Sequence, residues 1–306
     1  MKKTILAFGN PVYDLIITPY LQQNTRILSG CSTNACLAAT KLGERAILAG
    51  RVGADFEALL QSDLKGWGIE SQLFPSRQTG GFHLVYDRRG DRTLSILGIA
   101  DPLPAVVNGF SAIDFVLIGP ILGEISADLV DQLRKTVQAP ILVDPQGLLR
   151  RHQDGVIYHE HTPEFDRIAR MATVVKANEL ETRVVTGIDP RSNPEEAVRA
   201  LRAFGCQIAV VTLAEAGSII YDGASVIPIP AYETNAIDPT GAGDTYAAGF
   251  MVKYLETPQD LRAVGCFASA VASVMVENSG PDFPLTRGEA DRRAAALLNL
   301  PPALRL

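Results

Sequence analysis

No stretch of this chain approaches the roughly 18 consecutive apolar residues that a membrane-crossing helix needs. Met1-Lys2-Lys3 and the apolar run Thr4–Phe8 have the flavour of a signal peptide, but Asn10, Pro11 and Asp14 interrupt it too early. A buried first strand is the expectation. Basic excess is missing too: the net charge of −6 leaves no electrostatic footprint for nucleic acid or an anionic membrane. It does not exclude a phosphorylated ligand, because backbone N–H groups can bind one. Cysteine is sparse, and Cys31, Cys36, Cys206 and Cys266 form no Cys-x-x-Cys pair. Buried free thiols in a reducing cytosol are expected. Histidine is equally sparse. His159-Glu160-His161 offers two metal ligands without a third and reads as a solvated loop. The phosphate loop Gly-x-x-x-x-Gly-Lys-[Ser/Thr] is absent, as are His-Arg-Asp with Asp-Phe-Gly and a Gly-x-Gly-x-x-Gly after a strand. These absences exclude a P-loop kinase and a protein kinase, and weaken a dinucleotide-dependent dehydrogenase.

What remains is an ordinary globular composition, 47% hydrophobic and 20% charged, over 306 residues. Short β-rich runs recur at Thr4–Phe8, Ala46–Val52, Ile113–Ile118, Pro140–Val143, Thr173–Lys176 and Ile208–Leu213. Helical segments lie between them. Ser126 caps an apolar-striped segment Ala127–Gln138. Asn193-Pro194-Glu195-Glu196 opens a helix that Gly205 closes, and Thr286-Arg-Gly-Glu289 is a capping box for the last one. Strands alternating with helices predict an α/β fold with a mostly parallel sheet covered on both faces. No repeat or low-complexity linker divides the chain, so residues 1–306 read as one domain. Two stretches break the alternation. Pro11–Leu28 is extended around Gln22-Gln23-Asn24, and Gly80–Leu97 flanks the turn Asp87-Arg88-Arg89-Gly90-Asp91. Both read as strands outside the main sheet.

The most informative segment is Asp238-Pro-Thr-Gly-Ala-Gly-Asp-Thr-Tyr-Ala-Ala-Gly249. Gly241, Ala242 and Gly243 precede a helical run, Thr245 to Leu255. Such a turn presents backbone N–H groups at the positive end of a helix, a ready phosphate site. Asp244 beside it can accept a proton from a hydroxyl while the N–H groups hold the charge developing on a transferred phosphoryl group.

This string resembles the C-terminal signature of the PfkB (ribokinase-like) family of carbohydrate and nucleoside kinases. The resemblance implies a three-layer α/β/α fold with a small β lid, here about residues 11–28 and 80–97. It implies Asp244 as catalytic base and Gly241, Ala242 and Gly243 as anion hole. Upstream, Gly9 to Asp14 matches the family's Gly-x-x-x-x-Asp, which implies that Asp14, with Asn10 near it, grips substrate hydroxyls. Gly30 and Asn34 match part of Gly-Gly-x-x-x-Asn, which lines the sugar pocket, and one of its two glycines is missing here. Local capping by Ser32 or Thr33 is the structural alternative there. Gly50 to Asp55 resembles Gly-x-Val-Gly-x-Asp, and Asp55 reads as a helix cap. Asn178 and Glu181 match Asn-x-x-Glu, which implies an indirect role with magnesium. Thr212 and Gly217 match Thr-x-Gly-x-x-Gly, a nucleotide-phosphate loop. Ala214 replaces its middle Gly, so positive φ is not expected there. Asn278 and Gly280, within Ser269–Phe283, are candidates for the adenine side. Asp238 and Thr240 match positions that bind a monovalent cation, K+, in some relatives.

The implied function is an ATP- and magnesium-dependent kinase acting on a small sugar or cyclitol. Gly119–Ile125 and Asp144–Arg150 resemble a subgroup that includes myo-inositol kinases. A nucleoside kinase of the same fold and a ligand-binding homologue without turnover are the alternatives. Apolar residues Ile16, Leu28, Leu84, Tyr86, Leu94 and Ile96 predict a homodimer joined through the lids.

Overall fold

Alternate residues of the first strand face two different cores. In β1 (Thr4–Phe8), Ile5 and Ala7 belong to one apolar cluster, while Leu6 and Phe8 belong to another. The same split divides Phe115 and Leu117 from Val116 and Ile118 in a strand with every residue buried. A strand buried on both faces must be apolar throughout, which is why these runs show no polar alternation. The molecule is a computed structural model that describes residues 2–19, 24–86, 92–105, 109–110, 112–302 and 304.

In chain order the further strands are β2 (Val12–Ile17), β3 (Ile27–Ser29), β4 (Arg45–Gly53), β5 (Glu70–Ser76), β6 (Gly81–Tyr86), β7 (Arg92–Gly98), β8 (Phe115–Ile118), β9 (Ile141–Val143), β10 (Arg150–Gln153), β11 (Val156–His159), β12 (Val174–Asn178), β13 (Ile208–Thr212), β14 (Ser218–Tyr221) and β15 (Val226–Ile229). The helices are α1 (Cys31–Lys41), α2 (Glu57–Gly66), α3 (Ala127–Thr136), α4 (Gln146–Leu149), α5 (Pro163–Met171), α6 (Glu179–Thr186), α7 (Pro194–Arg202), α8 (Ala242–Glu256), α9 (Leu261–Val276) and α10 (Arg287–Leu298).

A nine-stranded sheet of order β15-β14-β13-β12-β9-β8-β1-β4-β5 forms the middle layer. It is parallel from β5 to β13, and β14 and β15 close one edge as antiparallel strands. α1, α2, α8, α9 and α10 pack on one face, and α3, α5, α6 and α7 on the other. This is the expected three-layer α/β/α arrangement. The parallel strands aim their carboxyl ends at one edge, where ligands of open α/β sheets gather.

The six-stranded second sheet has the order β10-β11-β7-β6-β2-β3. It draws on the two regions expected from sequence and on a third, β10 and β11, where a loop around His159-Glu160-His161 was expected. His159 ends β11, and the His161 ring instead pairs with Asp166 at 2.6 Å. Val12, Ile16, Phe82, Leu84 and Ile121 make the small core beneath this sheet. Gln22, Gln23 and the turn Asp87–Asp91 lie outside the described residues.

Helix starts follow the predicted chemistry in part. Ser126 accepts from Leu129 N–H and Thr286 from Glu289 N–H. Asn193 precedes α7, but its side chain makes no cap bond. Nor does Asp55 cap α2. Its carboxylate accepts from the Thr79 hydroxyl at 2.7 Å, tying the end of β4 to the entry of β6. Ser32 and Thr33 do not cap α1 either. They lie inside the helix, and the Ser32 hydroxyl donates to the Phe8 carbonyl at 2.8 Å.

Candidate active site

α8 begins without a side-chain cap. Its N-terminal residue, Gly241, adopts the left-handed region at φ 81, where a β-carbon would also crowd the Asn34 amide at 3.2 Å. The turn leading there is anchored by Asp238, which is fully buried. One carboxylate oxygen accepts from Thr240 N–H at 2.9 Å and the other from the Ser279 hydroxyl at 2.6 Å. Ala242 N–H turns back to the Pro239 carbonyl at 3.2 Å, so this amide is committed to the turn. Asp238 and Thr240 therefore act here as scaffolding for the turn.

Asp244 sits in the first turn of α8 and is partly buried. Asn34 Nδ2, from the first turn of α1, donates to Asp244 Oδ2 at 2.8 Å. The Cys31 thiol also hydrogen-bonds to this carboxylate. Burial pushes the Asp244 carboxyl above the ordinary aspartate range, and the neighbouring Asp144 pushes it the same way. Asn34, Lys176 and Cys31 oppose that shift. The ligand atoms of Cys31, Asp144 and Asp244 lie within 4.8 Å of one another. This trio does not fit a resident metal. Burial, then Asp244, holds the thiol protonated, and Asp144 already carries an ammonium: Lys176 Nζ is 2.7 Å from its Oδ2.

Of the residues expected to hold the acceptor, Gly30 precedes α1 and its carbonyl takes Asn34 N–H at 2.8 Å. Asp14 is buried in β2, and its Oδ1 accepts Phe82 N–H at 2.7 Å, beside the irregularity at Gly81/Phe82. Asn10 is a brace between strand ends. Its oxygen takes Arg51 N–H at 2.8 Å and its amide donates to the Asp101 carbonyl at 3.1 Å. Sequence reasoning missed Glu124, whose carboxylate takes backbone N–H groups of Asn10, Ile121 and Leu122 and shapes the turn after β8. A cleft lined by Ile16, Ile27, Asn34, Thr240, Met275 and Gly280 opens beside the start of α8. Gly280 lines this cleft together with Asn34. Asn278 donates to the Val274 carbonyl at 2.8 Å and closes α9.

Of the residues expected on the donor side, Asn178 and Thr212 are register partners across β12 and β13. Asn178 and Glu181 form a complete capping box at the start of α6. Glu181 is buried, and its carboxyl is pushed up to about 7 by burial and then by Asp144, against the pull of Lys176. All side-chain oxygens of the pair are engaged inside the box, which fits a magnesium ion held through water and not one ligated directly. Gly217 has φ 105 and approaches the Ile229 carbonyl so closely that a β-carbon would lie 2.2 Å from it. Ala214, contrary to the sequence expectation, has φ 48. The turn geometry persists although the glycine that would suit it is gone.

Residues 2–287 match the pfkB family carbohydrate kinase. The chain is 29% identical to a nucleoside kinase of Methanothermobacter thermautotrophicus, over 99% of both proteins. A solved pyrophosphate-dependent kinase in the ribokinase family, complexed with a pyrophosphate analogue and myo-inositol, aligns with TM-score 0.79 at 22% identity, over 94% of this chain and 99% of that one. The Arabidopsis thaliana ribokinase complexed with ribose and ATP aligns with TM-score 0.75 at 21% identity, over 96% and 99%. The fold is ribokinase-like.

Proposed function

Because the chain belongs to the pfkB family of carbohydrate kinases, we propose that it transfers the γ-phosphoryl group of ATP to a hydroxyl of a small polyol, with Asp244 as general base. The observation that carries this reading is the Asn34–Asp244 contact of 2.8 Å beside the uncapped start of α8. A carboxylate oriented at the positive end of a helix can take a hydroxyl proton while nearby backbone N–H groups stabilise the transferring phosphate. The acceptor oxygen bonds to phosphorus, the bond to the β-phosphate oxygen breaks, and ADP leaves with the electron pair. Gly241 and Gly243 supply the open backbone of the anion hole, and Ala242 supports the turn. Magnesium, bound with the nucleotide and steered through water by Glu181 and Asn178, would neutralise phosphate charge. Thr212 and Gly217 line the donor side. Asp14, Asn34 and Gly30 face the acceptor side, with the second sheet acting as a lid that excludes water.

A cyclitol such as myo-inositol is the favoured acceptor, in keeping with the strings Gly119–Ile125 and Asp144–Arg150. A nucleoside is the second reading, favoured by the 29% identity to a nucleoside kinase. A coupled ADP-release assay over polyols and nucleosides separates them, with phosphate release from pyrophosphate run in parallel as a donor test. Asp244→Asn should lower kcat by at least about 10²-fold with little change in nucleotide affinity. A variant that turns over at the wild-type rate removes Asp244 from the mechanism. The four free, buried cysteines accord with a cytoplasmic protein. Among the described residues no helix is long and apolar enough to cross a membrane. We further propose that the protein is a homodimer joined through the second sheet.

A further inference from the structure

Beneath the first turn of α8 lies a buried cation that the mechanism above does not use. Lys176, on β12, is 3% exposed at its side chain, and Asp144 is 4% exposed. Their charged atoms are 2.7 Å apart. Lys176 Nζ also donates to the Gly243 carbonyl at 3.3 Å. A β-carbon at Gly243 would sit 2.9 Å from that ammonium, so the helix backbone rests directly on it. Two residues along the same strand is Asn178, whose capping box with Glu181 starts α6.

A lone ammonium in this position would be strongly disfavoured by burial. Asp144 and Glu181 outweigh that penalty, so the lysine stays charged. Its charge in turn offsets the repulsion between Asp144 and Asp244, whose oxygens share one small cluster with Cys31. A buried pair of this kind is weak evidence for stability, since an apolar pair of similar shape often does as well. Its position under the reacting turn needs a different account.

We propose that Lys176 is a positioning residue: pinned by Asp144, its ammonium grips the Gly243 carbonyl and holds the anion-hole turn and Asp244 in register for phosphoryl transfer. This rests on the reading of Asp244 and the Gly241–Gly243 turn given above. Lys176 does not touch the substrate. It acts through Gly243, and a displacement of about 1 Å in such a turn is enough to cost on the order of 10²-fold in rate.

The test separates position from stability. Lys176→Met alone leaves Asp144 buried and unpaired, so loss of folding would be no surprise. Lys176→Met combined with Asp144→Asn removes both charges together. The double variant should unfold at a temperature near that of wild type, yet its kcat should be at least about tenfold lower, with acceptor KM within about threefold. Recovery of kcat together with stability would overturn the proposal, leaving the pair a structural filler. If the double variant does not fold, Lys176→Gln combined with Asp144→Asn replaces the ion pair with a neutral amide pair whose shorter side chain gives up the Gly243 carbonyl. A tenfold or greater loss of kcat at unchanged KM in that folded variant supports the grip, and wild-type kcat refutes it. Asp244→Asn is measured alongside. Retained turnover there removes the base reading, whereas its loss beside normal turnover in the lysine variants removes only the role of Lys176.

Discussion

Asn34 lines the cleft beside the start of α8, and its amide donates at 2.8 Å to the oxygen of Asp244. A hydrogen bond to a carboxylate favours its ionised form. Asp244 must be ionised to accept a proton, so turnover should fall as pH drops through its folded pKa. Burial and Asp144 place that limb above the ordinary aspartate value of about 3.9. The groups facing Asp244 are Cys31 and Asn34 from α1, Asp144 after β9 and Lys176 from β12. Asn34→Ala removes one donor and leaves the others. It should move the acid limb of kcat/KM to higher pH, besides weakening acceptor binding. A pH–rate profile with the substrate identified in the panel checks this. A limb that stays in place would make Asn34 a substrate ligand only.

The short turn Ala214–Ala216 between β13 and β14 shows a conflict between local preference and fold. The turn must pass from the sheet edge to Gly217, which is pressed against Ile229, and at φ 48 Ala214 takes the left-handed region. A β-carbon in that region costs roughly 1–2 kcal/mol, partly offset in any glycine replacement by about 0.5–1 kcal/mol of chain entropy. Ala214 is exposed, so its methyl fills no core space. Ala214→Gly should therefore stabilise the protein by about 0.5–1 kcal/mol, read as a higher urea midpoint at unchanged slope. An unchanged or lower midpoint would mean that the turn is relaxed as it stands. Arg191 clamps the same element through Glu179, Glu215 and the Leu213 carbonyl. That keeps the turn in place against its own strain.

For the whole molecule, the second sheet decides the oligomeric question. Of the apolar residues singled out from sequence, Ile16, Leu28 and Leu84 are buried within their own chain, and Leu94 and Ile96 are half-buried against the same small core. Exposure falls instead on Val85 at 37%, Val156 at 65% and Tyr158 at 42%. Strand register puts these on one face, because Val156 opposes Ser95, Ser95 opposes His83, and Val85 and Tyr158 are each two residues along. A second copy of this sheet would cover that face. Light scattering at micromolar concentration should report a dimer, and Val156→Lys should shift it to monomer with turnover retained. A wild-type monomer would refute the dimer and leave the kinase reading untouched.

What the amino-acid order determined alone was whatever depends on near neighbours. Apolar runs placed β1 to the residue and located β4, β8, β9, β12 and β13, because strands buried on both faces cannot hide among polar ones. Ser126 and Thr286 marked helix starts because a cap bond spans only a few residues. The segment Asp238–Gly249 announced the turn and the start of α8 because both are local. β10 and β11 were not legible: Arg150–Gln153 is polar and becomes a strand only because β11, itself paired to β7, offers it a ladder. The Asn34–Asp244 bond joins residues 210 apart, and the grip of Lys176 on Asp144 and Gly243 joins three separate elements. Nothing in local sequence distinguishes that lysine from a solvated one. Only the convergence of parallel strand ends beneath α8 makes its charge buried, paired and aimed at the reacting turn.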